Sequence, residues 1–292
     1  MHPFSWAGVI RLTRDNNRFS IYNLRMKGTE LKALIFDVDG TLTDNECDGH
    51  RVAFNLAFRD AGLDWHWDVP TYLRLLEVFG GKERIRYFIE DFLTGFKPPG
   101  KFDDFVRELH VLKTAHYLAL LKSGALPLRP GVKRLVKEAR SAGLKLAIAS
   151  TTTLENAILL IEVTLGEKGL EWFDVIACGD VVANKKPAPD IYLYALDKLG
   201  LNAAECLVIE DTEAGLASAR AAGLATVITV NDATRDQDFS GAAIVLDQLG
   251  EPQRGFKVLA GDAGGANLAD IAFLRQMHSK FRVWEPVFAS DL

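Results

Sequence analysis

The sequence predicts an α/β protein, with a doubly wound parallel sheet that is interrupted after its first strand by an inserted all-helical segment. Short, almost continuously apolar runs are typical of parallel strands that are buried on both faces. Helical patterns that stop at a glycine alternate with these runs, as in a Rossmann-like core. Between residues 46 and 124, by contrast, there are only helical patterns and no good strand.

The first predicted strand, Lys32–Phe36, is a lysine followed by four apolar residues, and it ends at Asp37. Runs of the same type predict further strands over Leu144–Ala149, Val175–Ala177, Cys206–Ile209 and Ala225–Val230. The patterns between them predict helices over Gly131–Ala142, Thr153–Leu165, Pro189–Leu199 and Glu213–Ala222. A final helix is expected over Leu268–Met277, with Asn267 as its N-cap.

The inserted segment contains four predicted helices: Arg51–Ala61, Pro70–Phe79, Glu83–Leu93 and Phe102–Leu121. We therefore expect a helical cap domain over residues 46–125, joined by two connections to a core formed by residues 31–45 and 126–292. Residues 1–30 show no sustained helical or strand period, and we expect them to be an unstructured extension outside the fold.

The composition excludes several classes of protein. Hydrophobic residues make up 48% and charged residues 25% of the 292 residues, which is typical of globular proteins. Residues 1–30 carry a net charge of +3 and the remainder −8, and so acidic a body argues against nucleic-acid binding. No apolar run approaches the roughly 18 residues of a membrane helix, so no membrane partner is expected.

Three cysteines, Cys47, Cys178 and Cys206, are too few and too scattered for a disulfide framework or a cysteine-rich zinc site. This usage indicates a reducing compartment. We expect a cytoplasmic protein, or a plastid protein if residues 1–30 are a transit peptide, and we take a monomer as the working assumption.

Chemistry-bearing residues follow the predicted strands, at the edge where open α/β sheets bind ligands. Asp37 and Asp39 are two apart on an extended segment, so both carboxylates can face one crevice. Such a pair suits a nucleophile and a general acid/base. Taken alone, the motif is equally compatible with an Asp-rich turn at the end of a strand.

Three further motifs strengthen this interpretation. A hydroxyl of Ser150, Thr151 or Thr41 could bind a phosphate oxygen, although Ser150 by itself fits a helix cap better. Lys186, fixed by a following proline, provides a rigid positive charge, whereas Lys185 is expected to be solvated. Glu210 and Asp211 are adjacent acids at a buried strand end, and their repulsion is relieved by a cation such as Mg²⁺.

Together these groups suit phosphoryl transfer. Asp37 would attack phosphorus to form an aspartyl phosphate, and Asp39 would protonate the leaving alcohol and then deprotonate the hydrolytic water. Mg²⁺ and Lys186 would offset the repulsion between the attacking carboxylate and the phosphate dianion.

These motifs resemble those of the haloacid dehalogenase superfamily of phosphatases from Leu31 to about Gly250, and the helical insert matches that family's cap in position and size. The resemblance implies that Asp37 is the nucleophile and Asp39 the acid/base. It implies that Asp37, the backbone carbonyl of Asp39 and Asp211 hold Mg²⁺, with Glu210 as an outer partner of the metal. Ser150 and Lys186 would bind the transferred phosphoryl group.

The insert is more specifically similar to the CbbY-like sugar-phosphate phosphatases, through Glu46, His50-Arg51 and the segment GGKERI at residues 80–85. Members of that group remove xylulose-1,5-bisphosphate, which inhibits Rubisco in carbon-fixing organisms. The resemblance implies that Glu46, His50, Lys82 and Arg84 contact a sugar (bis)phosphate. The local sequence alone leaves two interpretations open. Lys82 and Arg84 at a helix N-terminus are compatible with an anion site as well as with solvated charges.

Other functions stay open at this point. A β-phosphoglucomutase-type sugar phosphomutase would use the same core and a related cap. A phosphoglycolate or general sugar-phosphate phosphatase would share the chemistry but not the substrate. A phosphate-responsive binding protein is disfavoured, because Asp37, Asp39, Lys186 and Asp211 are all present.

Overall fold

The structure, a computed structural model, describes residues 14–15, 18–19, 29–78, 80–93 and 95–280. The chain divides into two compact units, Met1–Glu30 and Leu31–Leu292. Within the first unit, strands β1 (Arg14–Asp15) and β2 (Arg18–Phe19) pair antiparallel. Apart from these four residues, positions 1–28 of the expected extension lie outside the described residues.

The second unit is built on a seven-stranded sheet in the order β5-β4-β3-β6-β7-β8-β9. All neighbouring strands are parallel except β8 and β9. The strands are β3 (Ala33–Phe36), β4 (Lys145–Ser150), β5 (Val175–Cys178), β6 (Cys206–Glu210), β7 (Ala225–Thr229), β8 (Ile244–Leu246) and β9 (Val258–Ala260).

The register of β3 determines where the site forms. Phe36, its last residue, pairs with Ile148 on one side and Ile209 on the other. The residues that follow Phe36, Ile148 and Ile209 therefore lie at the same edge of the sheet. Asp37 is one of them.

Helices cover both faces of the sheet, which confirms the predicted doubly wound core. Alternating residues of β3 face opposite sides: Leu34 and Phe36 belong to one buried apolar cluster, Ala33 and Ile35 to another. The first cluster includes residues of α5 (Val132–Ser141), α6 (Leu154–Leu165) and α9 (Ile271–Lys280); the second includes residues of α7 (Asp190–Leu199) and α8 (Glu213–Ala221).

Between β3 and β4 the chain forms a π-helical turn, Glu46–His50, and then four helices: α1 (Arg51–Asp60), α2 (Val69–Leu75), α3 (Gly81–Phe92) and α4 (Phe102–Lys122). Pro70 lies in the first turn of α2, and the Asp68 side chain caps it by accepting a hydrogen bond from the Thr71 amide at 2.9 Å. These helices enclose an aromatic-rich core of their own around Phe54, Phe58 and Trp67.

Three sequence-based expectations about elements are wrong. Strands β8 and β9 are missing from the sequence-based prediction, and β9, although apolar, is exposed along its length. Helix α2 ends at Leu75 rather than Phe79, which itself lies outside the described residues. Helix α9 begins at Ile271, because Asp270 rather than Asn267 caps it: the Asp270 carboxylate accepts from the Phe273 amide at 2.8 Å.

Within the described ranges, no helix combines the length and apolar character that crossing a membrane requires.

Candidate active site

The site is centred on Asp37, the first residue after β3. Its backbone amide donates to the carbonyl of Ile209 at 3.1 Å, which continues the pairing with β6. Its side chain is buried and accepts a hydrogen bond from the Lys186 ammonium at 2.6 Å. The nucleophile candidate is therefore fixed by the sheet on one side and by a cation on the other.

Lys186 is a buried cation shared between two carboxylates. Its Nζ lies 2.6 Å from Asp37 Oδ1 and 2.6 Å from Glu210 Oε1, and it also donates to the Ala149 carbonyl at 3.0 Å. These two acids raise the pKa of Lys186 well above its ordinary value against the opposing effect of burial, so the side chain stays charged. Lys185 instead points away from the site and pairs with the exposed Asp180.

Three buried carboxylates form an oxygen-rich cluster: ligand atoms of Asp37, Glu210 and Asp211 all lie within 4.8 Å of one another. Asp211 Oδ1 accepts from the Thr41 hydroxyl at 3.0 Å and Oδ2 from the Asn231 amide at 2.7 Å. Thr41, expected at the phosphate, is thus engaged with the acidic cluster.

The charge of this cluster fits a hard divalent cation. Burial, together with the neighbouring carboxylates, raises the pKa of Asp211 well above its ordinary value. Burial also raises the pKa of Asp37 to about 7, although Lys186 opposes it. One ammonium among three acids leaves an excess of negative charge, and oxygen donors are the ligands that Mg²⁺ and similar cations prefer.

Glu210 is oriented by a dense set of donors. Its Oε2 accepts from the backbone amides of Asp211 and Thr212 at 2.8 and 3.0 Å, and Tyr192 donates to Oε1 at 3.1 Å. Burial opposes ionisation, yet Lys186 and these amides lower the pKa of Glu210 below its usual value. With so many partners, Glu210 is better placed to orient the cluster than to contribute both oxygens to a cation.

Ser150 is the last residue of β4, buried at the same sheet edge, and its hydroxyl accepts from the Thr152 amide at 3.3 Å. It does not cap α6, because Thr153 does so through the Asn156 amide at 3.3 Å. Thr151, also expected at the phosphate, is exposed.

Asp39 is held by Asn45, directly before the helical segment, and by His50 within it. Asn45 Nδ2 donates to Asp39 Oδ1 at 2.5 Å, and His50 Nε2 lies 3.4 Å from the same oxygen. Burial would raise its pKa, but His50 and Asn45 lower the pKa of Asp39 to about 2. A nucleophile is expected to be ionised and a general acid protonated, but here Asp37 has the raised pKa and Asp39 is held ionised.

Sequence reasoning missed the groups behind His50. Lys113 donates to His50 Nδ1 at 2.8 Å; because lysine can only donate, the proton of the His50 ring is on Nε2, facing Asp39. Tyr117 stacks on the His50 ring with centroids 4.0 Å apart. A signal was present, since Lys113 lies four residues from both Leu109 and Tyr117, on the apolar face of α4.

The remaining predicted substrate residues lie in two places. Tyr72 donates to Glu46 Oε2 at 2.6 Å and accepts from Arg84 Nη1 at 3.0 Å, so Glu46 and Arg84 are joined through a tyrosine that no motif indicated. Arg84 also donates to the Leu75 carbonyl at 3.1 Å. Lys82, by contrast, is exposed in the first turn of α3.

Comparisons with known proteins identify the family of this chain. A family model of haloacid dehalogenase-like hydrolases matches residues 31–223. Protein CbbY of Cupriavidus necator is 46% identical over 248 residues, covering 85% of this chain and 97% of its own. Protein CbbY of Rhodobacter capsulatus is 50% identical over 213 residues, covering 73% and 91%.

Among solved structures, a mutant of CbbY from Rhodobacter sphaeroides in complex with xylulose-1,5-bisphosphate is similar with a TM-score of 0.69 and 41% identity. The match covers 75% of this chain and 94% of that one.

Proposed function

Because this chain belongs to the haloacid dehalogenase-like hydrolases and is a phosphatase, we propose that it hydrolyses xylulose-1,5-bisphosphate in a Mg²⁺-dependent reaction through an aspartyl phosphate on Asp37. The observation that carries the reaction type is the placement of Lys186 between Asp37 and Glu210, with Asp211 beside them. The substrate is supported by the complex of the relative from Rhodobacter sphaeroides.

In the first step, Asp37 forms a bond from a carboxylate oxygen to phosphorus as the bond from phosphorus to the sugar oxygen breaks. Asp39 gives its proton to that oxygen, which leaves as an alcohol. Lys186 at 2.6 Å from Asp37 is placed to neutralise the phosphoryl oxygens, and Ser150 at the same edge can donate to one of them.

In the second step, Asp39 takes a proton from water while the water oxygen bonds to phosphorus and the bond from phosphorus to Asp37 breaks. The low pKa of Asp39 holds it in the base form that this step uses. For the first step it must carry a proton, and a longer distance to His50 would favour that form by raising the pKa of Asp39.

The metal would be held by Asp37, Asp211 and the backbone carbonyl of Asp39, with Glu210 in the outer shell. When bound, Mg²⁺ offsets the negative charge of the phosphate and lowers the pKa of Asp37, so that the nucleophile is ionised.

We further propose that residues 46–125 act as a cap over a core of residues 31–45 and 126–292, and that Glu46, His50, Lys82 and Arg84 face the sugar. The biological role would be repair, by removal of a sugar bisphosphate that inhibits Rubisco.

The test is Mg²⁺-dependent phosphate release from a panel of xylulose-1,5-bisphosphate, ribulose-1,5-bisphosphate, β-glucose-1-phosphate and 2-phosphoglycolate. We expect strong preference for the xylulose compound over its ribulose epimer and no release in EDTA. Preference for a monophosphate would refute the substrate, and conversion of glucose-1-phosphate to glucose-6-phosphate would show a mutase instead.

A further inference from the structure

We propose that Asn231 is a positioning residue that sets the affinity of the site for its divalent cation by orienting Asp211. Asn231 is buried, two residues after β7, and its Nδ2 lies 2.7 Å from Asp211 Oδ2. The inference rests on the metal of the proposed function but adds a residue outside every motif that led to it.

The orientation of the Asn231 amide follows from its partners. Its Oδ1 accepts from the backbone amide of Ala233 at 2.9 Å, so the opposite end, which can only donate, faces Asp211. Its own backbone amide donates to the Thr234 hydroxyl at 3.1 Å, which fixes the loop. The side chain therefore cannot rotate without breaking a hydrogen bond on each side.

Among the described residues, the hydrogen-bond donors to the two oxygens of Asp211 are both neutral. Thr41 donates to Oδ1 and Asn231 to Oδ2, whereas Lys186 contacts the other two acids of the cluster. Neutral donors fix the direction of a carboxylate without cancelling its charge, so Asp211 keeps its attraction for a cation. Donors of this kind behind a metal ligand typically change metal affinity 10–100-fold when they are removed.

The Asp211 side chain packs directly against the backbone of Gly40, beside Asn231. A Cβ at Gly40, whose φ is 83°, would lie 2.1 Å from Asp211 Oδ2 and 2.8 Å from Asn231 Nδ2. Gly40 is therefore required for the close contact between the loop after β3, Asp211 and Asn231.

The experiment is isothermal titration calorimetry of Mg²⁺ into the full-length protein without substrate. We compare wild type with Asn231→Leu, which keeps the approximate size but has no donor, and with Asp232→Asn, which changes an exposed neighbour in the same loop and leaves Asn231 and its hydrogen bonds in place. We expect a Kd about 10-fold higher or more for Asn231→Leu and a near wild-type Kd for Asp232→Asn. Equal weakening in both variants, or none in Asn231→Leu, would overturn the inference.

Two further measurements separate positioning from a folding defect. The rise in Tm on adding Mg²⁺ should shrink in Asn231→Leu, and saturating Mg²⁺ should restore its kcat to the wild-type value. A kcat deficit that persists at saturation would also contradict the proposal. If wild type itself binds no Mg²⁺, the metal of the proposed function fails; if it binds and Asn231→Leu binds equally, only the role of Asn231 fails.

Discussion

At the scale of single residues, the chemistry depends on Asp37 as nucleophile. We expect Asp37→Asn to lower kcat by at least about 10⁴-fold, because an amide oxygen is a poor nucleophile and cannot form the aspartyl phosphate. The kcat of Asp37→Asn and of wild type is measured as phosphate release from the preferred substrate at saturating Mg²⁺.

A matched control for this variant is Asp232→Asn, which removes an exposed carboxylate whose partner is Arg235. We expect it to retain wild-type turnover. Lys186 keeps Glu210 as a partner in Asp37→Asn, so the variant should fold with a Tm near that of the wild type. Substantial turnover by a folded Asp37→Asn protein would exclude Asp37 as the nucleophile.

Lys113 is a second informative residue, because its burial carries a cost that depends on pH. Burial lowers its pKa from 10.5 to about 8, against the attraction of Asp39 and Glu46. Between these two pKa values the unfolded chain binds more protons than the folded one. The free energy of unfolding therefore rises as pH rises from 8 to 10.5, because the destabilisation caused by burying the charged lysine is lost. Below pH 8 the buried charge of Lys113 lowers the free energy of unfolding by its full amount, which is at most about 3 kcal/mol.

We therefore expect Lys113→Met to raise Tm relative to wild type at pH 7, and this advantage to shrink towards pH 10.5. Activity should fall, since His50 loses the donor that fixes its ring opposite Asp39. Thermal melts of both proteins at pH 7, 9 and 10.5 measure the difference. A difference in Tm that does not change with pH would show that Lys113 is not the group that titrates.

At the scale of elements, the loops at the carboxyl ends of the strands are joined by Arg129. Its guanidinium donates to four backbone carbonyls: Gly40 at 2.5 Å, Thr229 at 2.8 Å, Val230 at 2.5 Å and Asp247 at 3.0 Å. It thereby connects the loop after β3 with the ends of β7 and β8. These are the loops that carry Asp39 and Asn231.

We expect Arg129→Met to lower the free energy of unfolding by about 3–5 kcal/mol, because four carbonyls lose the same half-buried charged donor together. Urea denaturation measures this. Arg235→Met, which breaks an exposed ion pair with Asp232, should change stability by less than about 1 kcal/mol. Equal effects of the two variants would show that Arg129 does not link the loops.

At the scale of the whole molecule, helices α1 to α4 have a separate aromatic core, yet Tyr117 and Leu121 of α4 belong to the same apolar cluster as Phe36 of the sheet. His50, which contacts Asp39, comes from the helical segment, whereas Lys186, which holds Asp37, comes from the α/β core. The proposed cap would require such a contribution from both parts of the chain.

Lys82 tests this arrangement. It is exposed at the start of α3, and its proposed role is to bind a second phosphate of the substrate. We expect Lys82→Ala to raise KM for bisphosphates about 10-fold or more and to leave KM for monophosphates nearly unchanged. Lys97→Ala, in the exposed loop after α3, is the control and should affect neither. An equal rise for both substrate types would remove the second-phosphate interpretation.

The amino-acid sequence by itself determined the parallel core and the positions of strands β3 to β7 along the chain, because apolar runs and helix stops are local properties of the chain. It also indicated Asp37, Lys186 and Asp211, since each follows or precedes an element whose end could be recognised. Polar Asn231 after the run Ala225–Val230 carried the same signal and could have been found in this way.

Only the tertiary structure decided which of these groups meet. Lys113 and His50 are 63 residues apart and Asp37 and Lys186 are 149 apart, so no spacing along the chain indicates their contact. Parallel register brings the ends of β3, β4 and β6 to one edge, and the packing of α4 brings Lys113 to His50. The pKa order of Asp37 and Asp39 follows from these neighbours and from burial, which the sequence does not contain.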